Sequence, residues 1–412
     1  MPDSRQLRVL AVSEGRKHEV AEFIAVTATI MMLIAFAIDA MLPALPEIGT
    51  SLGVADRNAH QWVISIFMLG FGGGQLVMGP IADSLGRRHV LIAGLAIYLV
   101  ACVIAASTDS FEALLGARLI QGMAAAGTRI AIVAMVRDRF VGAAMAQVMS
   151  FSQVVFMVAP IIAPLLGQAV LEVADWRWIF LGLAAGASAM LLLGSWRLPE
   201  SMTAENRQPL NIVSTLRNWR EVIGDPNSRY FTLAGACLNV GFTGFLVSVQ
   251  QIFEQTIGDR NLLPLGFAII STAVAAASLV NGIVVKRVGM VKILRIAVIT
   301  YVIVAAFALL HSLLGDISFQ SFVALQAMLM VSAAFAGGNL GALAMLNMGR
   351  MAGSAASLQG SLSIMAGVFG GSIIGQAYDG STLPLYIGAM IFGGFSAIIV
   401  FFVAPIKERT EN

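Results

Sequence analysis

Apolar runs about twenty residues long alternate with short polar segments along nearly the whole chain, near 22–43, 60–80, 90–107, 112–135, 142–170, 178–196, 230–254, 264–285, 292–314, 318–343, 354–377 and 384–404. A hydrocarbon core roughly 30 Å thick takes about twenty residues of helix to cross. Lipid offers the backbone no hydrogen bonds, so a helix is the expected conformation for each run. The pattern predicts an all-α membrane protein with twelve transmembrane helices. Arg5, Arg8, Arg16 and Lys17 precede the first run, and Ala35-Phe36-Ala37 imitates a signal-peptidase site. The run from Val20 to Leu42 is longer than a signal core of roughly 7–15 residues, so it is read as a retained span.

The longest polar stretch, 198–229, divides the runs six and six. The expected organisation is a tail (1–21), a six-helix bundle (22–197), a linker (198–229), a second six-helix bundle (230–404) and a second tail (405–412). Within the linker, Ile212, Leu216, Trp219 and Ile223 recur at helical spacing beside Arg217 and Arg220, the pattern of a helix on a membrane surface; an ordinary solvated linker is the plainer alternative. A weak repeat relates the halves: Gly79-x-x-x-Asp83-x-x-Gly86 after span 2 is echoed by Gly282-x-x-x-Lys286-x-x-Gly289 after span 8. Two pseudo-symmetric bundles related by an axis along the membrane normal are a known transporter construction, with the substrate site between them.

Composition agrees with a lipid-solvated surface: 58% of the 412 residues are hydrophobic and 12% charged, against about 25% charged in a soluble domain. The 41 glycines allow helices to approach closely. The net charge of +2 comes without any dense Lys/Arg block, so nucleic acid is not an expected partner. Cys102 and Cys237 lie in apolar runs and are expected to pack rather than pair or hold zinc. Taking Lys292 and Arg295 with the loop they follow, loops on the side of the amino terminus carry twenty Lys and Arg; the opposite loops carry three, Arg57, Arg177 and Arg260. That asymmetry places both termini in the cytoplasm. Two arginines are left over, Arg118 and Arg129, both inside span 4.

Those two and Asp39 are the candidate chemistry. Asp39 is the carboxylate placed well inside a span, and an intramembrane acid is a functional hypothesis by default. Burial disfavours a charged carboxylate and nearby cations favour it, so such a group can exchange protons; its plainer role would be to cap a helix broken at Pro43. Arg118 and Arg129 are eleven residues apart, three helical turns plus roughly 20°, and share one face. That face should line the cavity or pair with Asp39, making these three the expected proton-coupling group and favouring neutral or anionic substrates over cations. Gln121, Asn239, Gln250, Gln326, Asn339 and Gln359 are weaker candidates for uncharged substrate contacts, with helix-to-helix hydrogen bonding as the plainer role. Gly70 and Gly74, Ala159, Ala163 and Gly167, and Gly367, Gly371 and Gly375 form small-residue faces suited to close helix packing.

The strongest local signal is Gly79-Pro80-Ile81-Ala82-Asp83-Ser84-Leu85-Gly86-Arg87-Arg88. Gly79 lets helices meet, Asp83 can bond Arg87, and Gly86 permits a tight turn, a set of cheap contacts that suits a latch. The run resembles the cytoplasmic signature loop of the major facilitator superfamily. Four further segments narrow the resemblance to the drug-proton antiporters of the bicyclomycin- and chloramphenicol-resistance (Bcr/CflA-like) type. They are Asp39-Ala40-Met41-Leu42-Pro43-Ala44-Leu45-Pro46, Arg118-Leu119-Ile120-Gln121-Gly122 with Arg137-Asp138 below it, Ala159-Pro160-Ile161-Ile162-Ala163-Pro164-Leu165-Leu166-Gly167 followed by Trp176-Arg177-Trp178, and Ala352-Gly353-Ser354-Ala355-Ala356-Ser357-Leu358-Gln359-Gly360. Ala40 and Met41 depart from the Asp-Met-Tyr-Leu-Pro of many relatives, and Gly167-Gln168 from the paired glycines that end the exporter signature.

The resemblance implies the major facilitator fold and proton antiport of a drug-like molecule across a bacterial inner membrane. It implies a cytoplasmic gate of Gly79, Asp83, Gly86, Arg87, Arg88 and Asp138, and a hinge of Pro160, Pro164 and Gly167 at a helix interface. It also implies that spans 2 and 11, and spans 5 and 8, meet between the bundles and rock there, with static packing as the plainer use of their small residues. The expected energy source is the proton gradient, with no cofactor and no metal, in a protein functional as a monomer whose partners are lipid, protons and a small molecule. Rival classes fare worse: no Gly-Lys dipeptide exists for a phosphate loop, so no enzyme of that kind is expected, His18-Glu19 lacks a second metal-ligand histidine, and no carbonyl-rich channel filter is recognisable. A metabolite exporter or importer of an amino acid, sugar or siderophore stays open, because one fold serves many cargoes.

Overall fold

A computed structural model describes residues 23–140, 158–202, 207, 210–315 and 317–404, Arg350 by its backbone alone. Both tails and the first half of span 5 lie outside the described residues. Eleven described helices are long and apolar enough to span a bilayer: α1 (Phe23–Ser51), α2 (Asn58–Leu85), α3 (Arg87–Ser107), α4 (Phe111–Arg139), α6 (Arg177–Arg197), α7 (Pro226–Thr256), α8 (Arg260–Val288), α9 (Met290–Leu313), α10 (Phe319–Ala344), α11 (Ala352–Gln376) and α12 (Leu383–Val403). A shorter apolar helix, α5 (Val158–Leu171), is the described part of span 5.

Helix packing repeats between the halves. In the first, α2 and α3 pack on α4, and α3 on α6; in the second, α8 and α9 pack on α10, and α9 on α12. The sequence repeat has a backbone counterpart. Gly86 (φ +99°, ψ 150°) and Gly289 (φ +86°, ψ 147°) end α2 and α8 in the same conformation, one that favours glycine, and a new helix starts at the next residue. We call the end carrying these two turns the basic end.

The halves meet where α2 packs antiparallel on α11. Three serines of α11 reach across: Ser357 Oγ donates to the Gln75 carbonyl, Ser361 Oγ donates to the Gly72 carbonyl at 2.7 Å, and Ser372 Oγ donates to Ser65 Oγ at 2.9 Å. The small-residue stripes serve a different purpose from the expected rocking interface. Gly70 and Gly74 face Leu119 and Met123 of α4, Gly367 and Gly371 face Asn239 and Thr243 of α7, and Gly167 faces the Ala40 carbonyl of α1. All these contacts lie within a bundle, so they set static packing. α2 carries glycines on two faces, and Gly72 rather than Gly70 lies against Ile364 across the seam. Gly375 does meet the other half, at Gln61.

In the linker, a helix runs from Ile212 to Gly224, its amino terminus capped by Asn211, which accepts from Ser214 N at 3.1 Å. Ile212, Leu216 and Ile223 are exposed, whereas Trp219 turns inward with Val222 against Met348, Ala355 and Leu358. This helix is thereby fixed to the second bundle at the basic end.

Candidate functional site

α1 is helical to Asp39, turns at Ala40-Met41, makes a 3-10 turn over Leu42–Ala44 and resumes helically at Leu45. Pro43 and Pro46 each lack a backbone N–H donor, which accounts for the interruption. Asp39 sits at the break, 6% exposed, between the buried residues Ala37, Ala40 and Met41. It is the one buried carboxylate among the described residues and makes no hydrogen bond or ion pair with any of them.

The expected pairing of Asp39 with the α4 arginines is not formed. Both arginines do face α2, as their spacing implied: Arg118 lies 4.5 Å from the Phe67 ring centroid and Arg129 5.8 Å from that of Phe71. Their surroundings differ. Arg118 is fully buried inside the first bundle, where Nε donates to the Val63 carbonyl at 2.9 Å and Nη1 to Gln121 Oε1 at 2.7 Å. Gln121 Nε2 in turn donates to Cys102 Sγ at 3.0 Å, and Phe180 lies 5.8 Å from the guanidinium. Dipoles and aromatic faces therefore stand where an acid was expected, and Gln121 positions Arg118 instead of lining a cavity. Arg129 reaches a cavity of about 470 Å³ at the basic end, bounded by α2, α4, the linker helix and α11.

Of the other amide candidates, Asn239, Asn339 and Gln359 turn out to be tethers between helices, while Gln250 bonds within its own helix. Asn239 donates to the Ser363 carbonyl, Asn339 to Asn281, Gln359 to Ser228 and the Ala344 carbonyl, and Gln250 to Glu254. Gln326 is 1% exposed, and it too is away from the cavity. Pro160, Pro164 and Gly167 lie on α5, packed on the α1 break through Gly167. One bond near the far end of α5 reaches the other half, Gln168 Nε2 to Asn261 Oδ1 at 3.4 Å.

At the basic end the gate residues form a charged node. Arg87 pairs with Asp83 at 2.5 Å and with Asp138 at 3.4 Å, Asp138 accepts from Ser201 Oγ at 2.9 Å, and Arg88 donates to the Ser195 carbonyl at 2.6 Å. Glu200, which sequence reasoning passed over, closes the node. Its carboxylate accepts the backbone N–H groups of Arg87 and Arg88, the first residues of α3, and of Ser201 and Met202. Gly86 is required for that approach, since a Cβ there would strike Glu200. The available signal was an acid directly after Pro199, at the point where the sixth apolar run gives way to the linker.

Partial burial pushes the Glu200 carboxyl up, but the four N–H donors outweigh it and hold the group below the usual carboxylate range. A depressed value in the fold means stability that is present above the unfolded value of about 4.3 and lost as pH falls through the folded one. Glu200→Gln is expected to cost about 1–3 kcal/mol at pH 7. The difference in thermal unfolding between the two proteins should close as the buffer is acidified below pH about 4.

At the opposite end, a latch made mainly of uncharged groups joins the halves, beside the partly exposed ion pair Arg57–Glu254 at 3.9 Å. Gln61 of α2 donates to Gln251 of α7 and to the Gly375 carbonyl of α11 at 3.1 Å. Gln251 Nε2 donates to Asn58 Oδ1 at 2.8 Å, and Asn58 Nδ2 donates to the carbonyls of Gln376 and Tyr378, both at 3.0 Å. Gln376 Nε2 returns a bond to the Asn58 carbonyl at 2.8 Å. This end is closed between the bundles, while the cavity lies at the basic end.

Residues 27–373 match the family model described as Major Facilitator Superfamily. An uncharacterized MFS-type transporter, YdgK, of Bacillus subtilis is 28% identical over 382 residues, covering 90% of this chain and 92% of its own. A bicyclomycin resistance protein homolog of Haemophilus influenzae is 27% identical over 382 residues, covering 88% and 91%. Among solved structures, the xylose transporter XylE from E. coli in a partially occluded inward-open conformation superposes with a TM-score of 0.73 at 13% identity, over 94% of this chain and 98% of that one.

Proposed function

Because the chain belongs to the Major Facilitator Superfamily and is a multi-pass membrane transporter rather than an enzyme, we propose that it exports a small organic molecule by proton antiport through alternating access. Asp39 carries this reading: a buried carboxylate at a helix break inside a span, without a protein partner among the described residues, is a group placed to take up and release a proton. The bicyclomycin-resistance name of one relative supports a drug-like cargo. On this reading the chain sits in a bacterial inner membrane with both termini in the cytoplasm, draws energy from the proton gradient alone, needs no cofactor and works as a monomer. The cavity then opens toward the cytoplasm, where cargo for export is collected.

Proteoliposomes test the coupling. With an acidic lumen, proton exit should drive accumulation of a transported compound, and a protonophore should abolish it. Accumulation with an alkaline lumen would make the protein a symporter, and accumulation indifferent to the gradient would make it a uniporter. A panel of drug-like compounds, amino acids and sugars separates the export of drugs from that of metabolites.

A further inference from the structure

The cavity at the basic end carries more than an opening. Its two acids are already engaged, since Asp83 and Asp138 both pair with Arg87 and Asp138 also accepts from Ser201. Arg129 and Arg137 line the same cavity without a hydrogen bond or ion pair among the described residues. Of the charged lining groups, three are arginines and two are aspartates, so one positive charge is left uncompensated. Gln75 adds a second observation. It is 3% exposed, lines the cavity, and its Nε2 donor has no hydrogen-bond partner. Gln75 lies one helical turn beyond Phe71, whose ring Arg129 overlies, so amide and guanidinium belong to one face of the site.

A buried donor without an acceptor costs free energy, and so does an unpaired guanidinium within a span. Two unmet donors of this kind ask for an acceptor that carries negative charge. Around them the linker helix presents Asn211 and Asn218, and about 470 Å³ lies within the range of small-molecule sites. We infer that this cavity is a binding site for organic carboxylates, with Arg129 and Gln75 donating to the carboxylate and the linker helix covering the remainder of the molecule. The inference rests on the transport reading and specifies the cargo that enters from the basic end. The linker then becomes part of the recognition surface as well as a tether between halves.

The test uses the full-length protein in nanodiscs with three fluorescent probes of one scaffold: dansylglycine (anionic), dansylglycinamide (neutral) and dansylcadaverine (cationic). The wild type should bind dansylglycine at least about tenfold more tightly than the amide, the scale of one charge-assisted hydrogen-bonded pair. Arg129→Gln should erase that preference with little change for the amide, Arg129→Lys should retain part of it, and Gln75→Met should weaken the acid several-fold. Equal affinity for acid and amide in the wild type would overturn the inference. So would an undiminished preference in Arg129→Gln, or a uniform loss for both probes in that variant together with full retention of preference in Gln75→Met. Displacement of dansylglycine by chloride alone at physiological concentration would also overturn it, assigning the site to an inorganic ion. Proton-driven accumulation of a neutral compound is measured separately, so failure of the carboxylate site and failure of the antiport reading give different results.

Discussion

Asp39→Asn is expected to reduce proton-driven accumulation to the level of protein-free vesicles while leaving folding and substrate counterflow intact. Asparagine has the shape of the protonated acid, so it keeps the packing at the α1 break among Ala37, Ala40 and Met41. It cannot give up a proton, however, and it locks the site in the neutral form. Counterflow needs only the exchange of one substrate molecule for another across the two conformations, and a permanently neutral site permits it. Removing a buried carboxylate that no described residue pairs with also removes the cost of burying its charge, so thermal stability should hold or rise. A variant equally stable, competent in counterflow and dead to the gradient would separate coupling from fold. Retention of gradient-driven accumulation would move the proton to another residue and return Asp39 to the role of a helix-break cap.

The spans were legible because the bilayer imposes a length that twenty apolar residues meet. The halves were legible because Gly86 and Gly289 recur at matching places and adopt matching backbone angles. What the chain could not disclose was which face of a helix meets which neighbour. Gly70, Gly72 and Gly74 are alike as letters, yet the first and third pack on α4 and the second on α11. The same ambiguity turned Gln121 and Asn339 into cavity candidates when they bond neighbouring helices, and hid Gln75, which lines the cavity together with Arg129. Spacing correctly put Arg118 and Arg129 on one face, but their depth decided their surroundings. One is enclosed by Phe67, Phe180 and Gln121, and the other lines the cavity. Glu200 was hidden for another reason: its partners are backbone N–H groups, which every sequence offers equally.

The amide latch closes one end of the molecule between the bundles while the cavity lies at the other, and that asymmetry predicts the largest conformational effect. The charged node of Asp83, Arg87, Asp138 and Glu200 lies within the first half and the start of the linker, whereas the opposite end is joined between the halves by the amides of Asn58, Gln61, Gln251 and Gln376 and by the partly exposed ion pair Arg57–Glu254 at 3.9 Å. Alternating access requires each closure to yield in turn, so the two must be close in free energy, and weakening one shifts the population toward opening at that end. Asn58→Ala removes three side-chain bonds at once, to the Gln376 and Tyr378 carbonyls and from Gln251, and leaves their partners buried. At about 1 kcal/mol for each, the equilibrium should move by roughly 3 kcal/mol, a factor of about 100. Spin labels at the exposed residues Val173 and Leu314, on different bundles at this end, should report a longer mean distance in Asn58→Ala than in the parent. The partly exposed pair Arg57–Glu254 at 3.9 Å also crosses between the halves here, so high salt should lengthen the parent's distance far less than Asn58→Ala does. An unchanged distance distribution in Asn58→Ala would show that helix packing along α2 and α11, with its three serine bonds, holds this end shut without the amides.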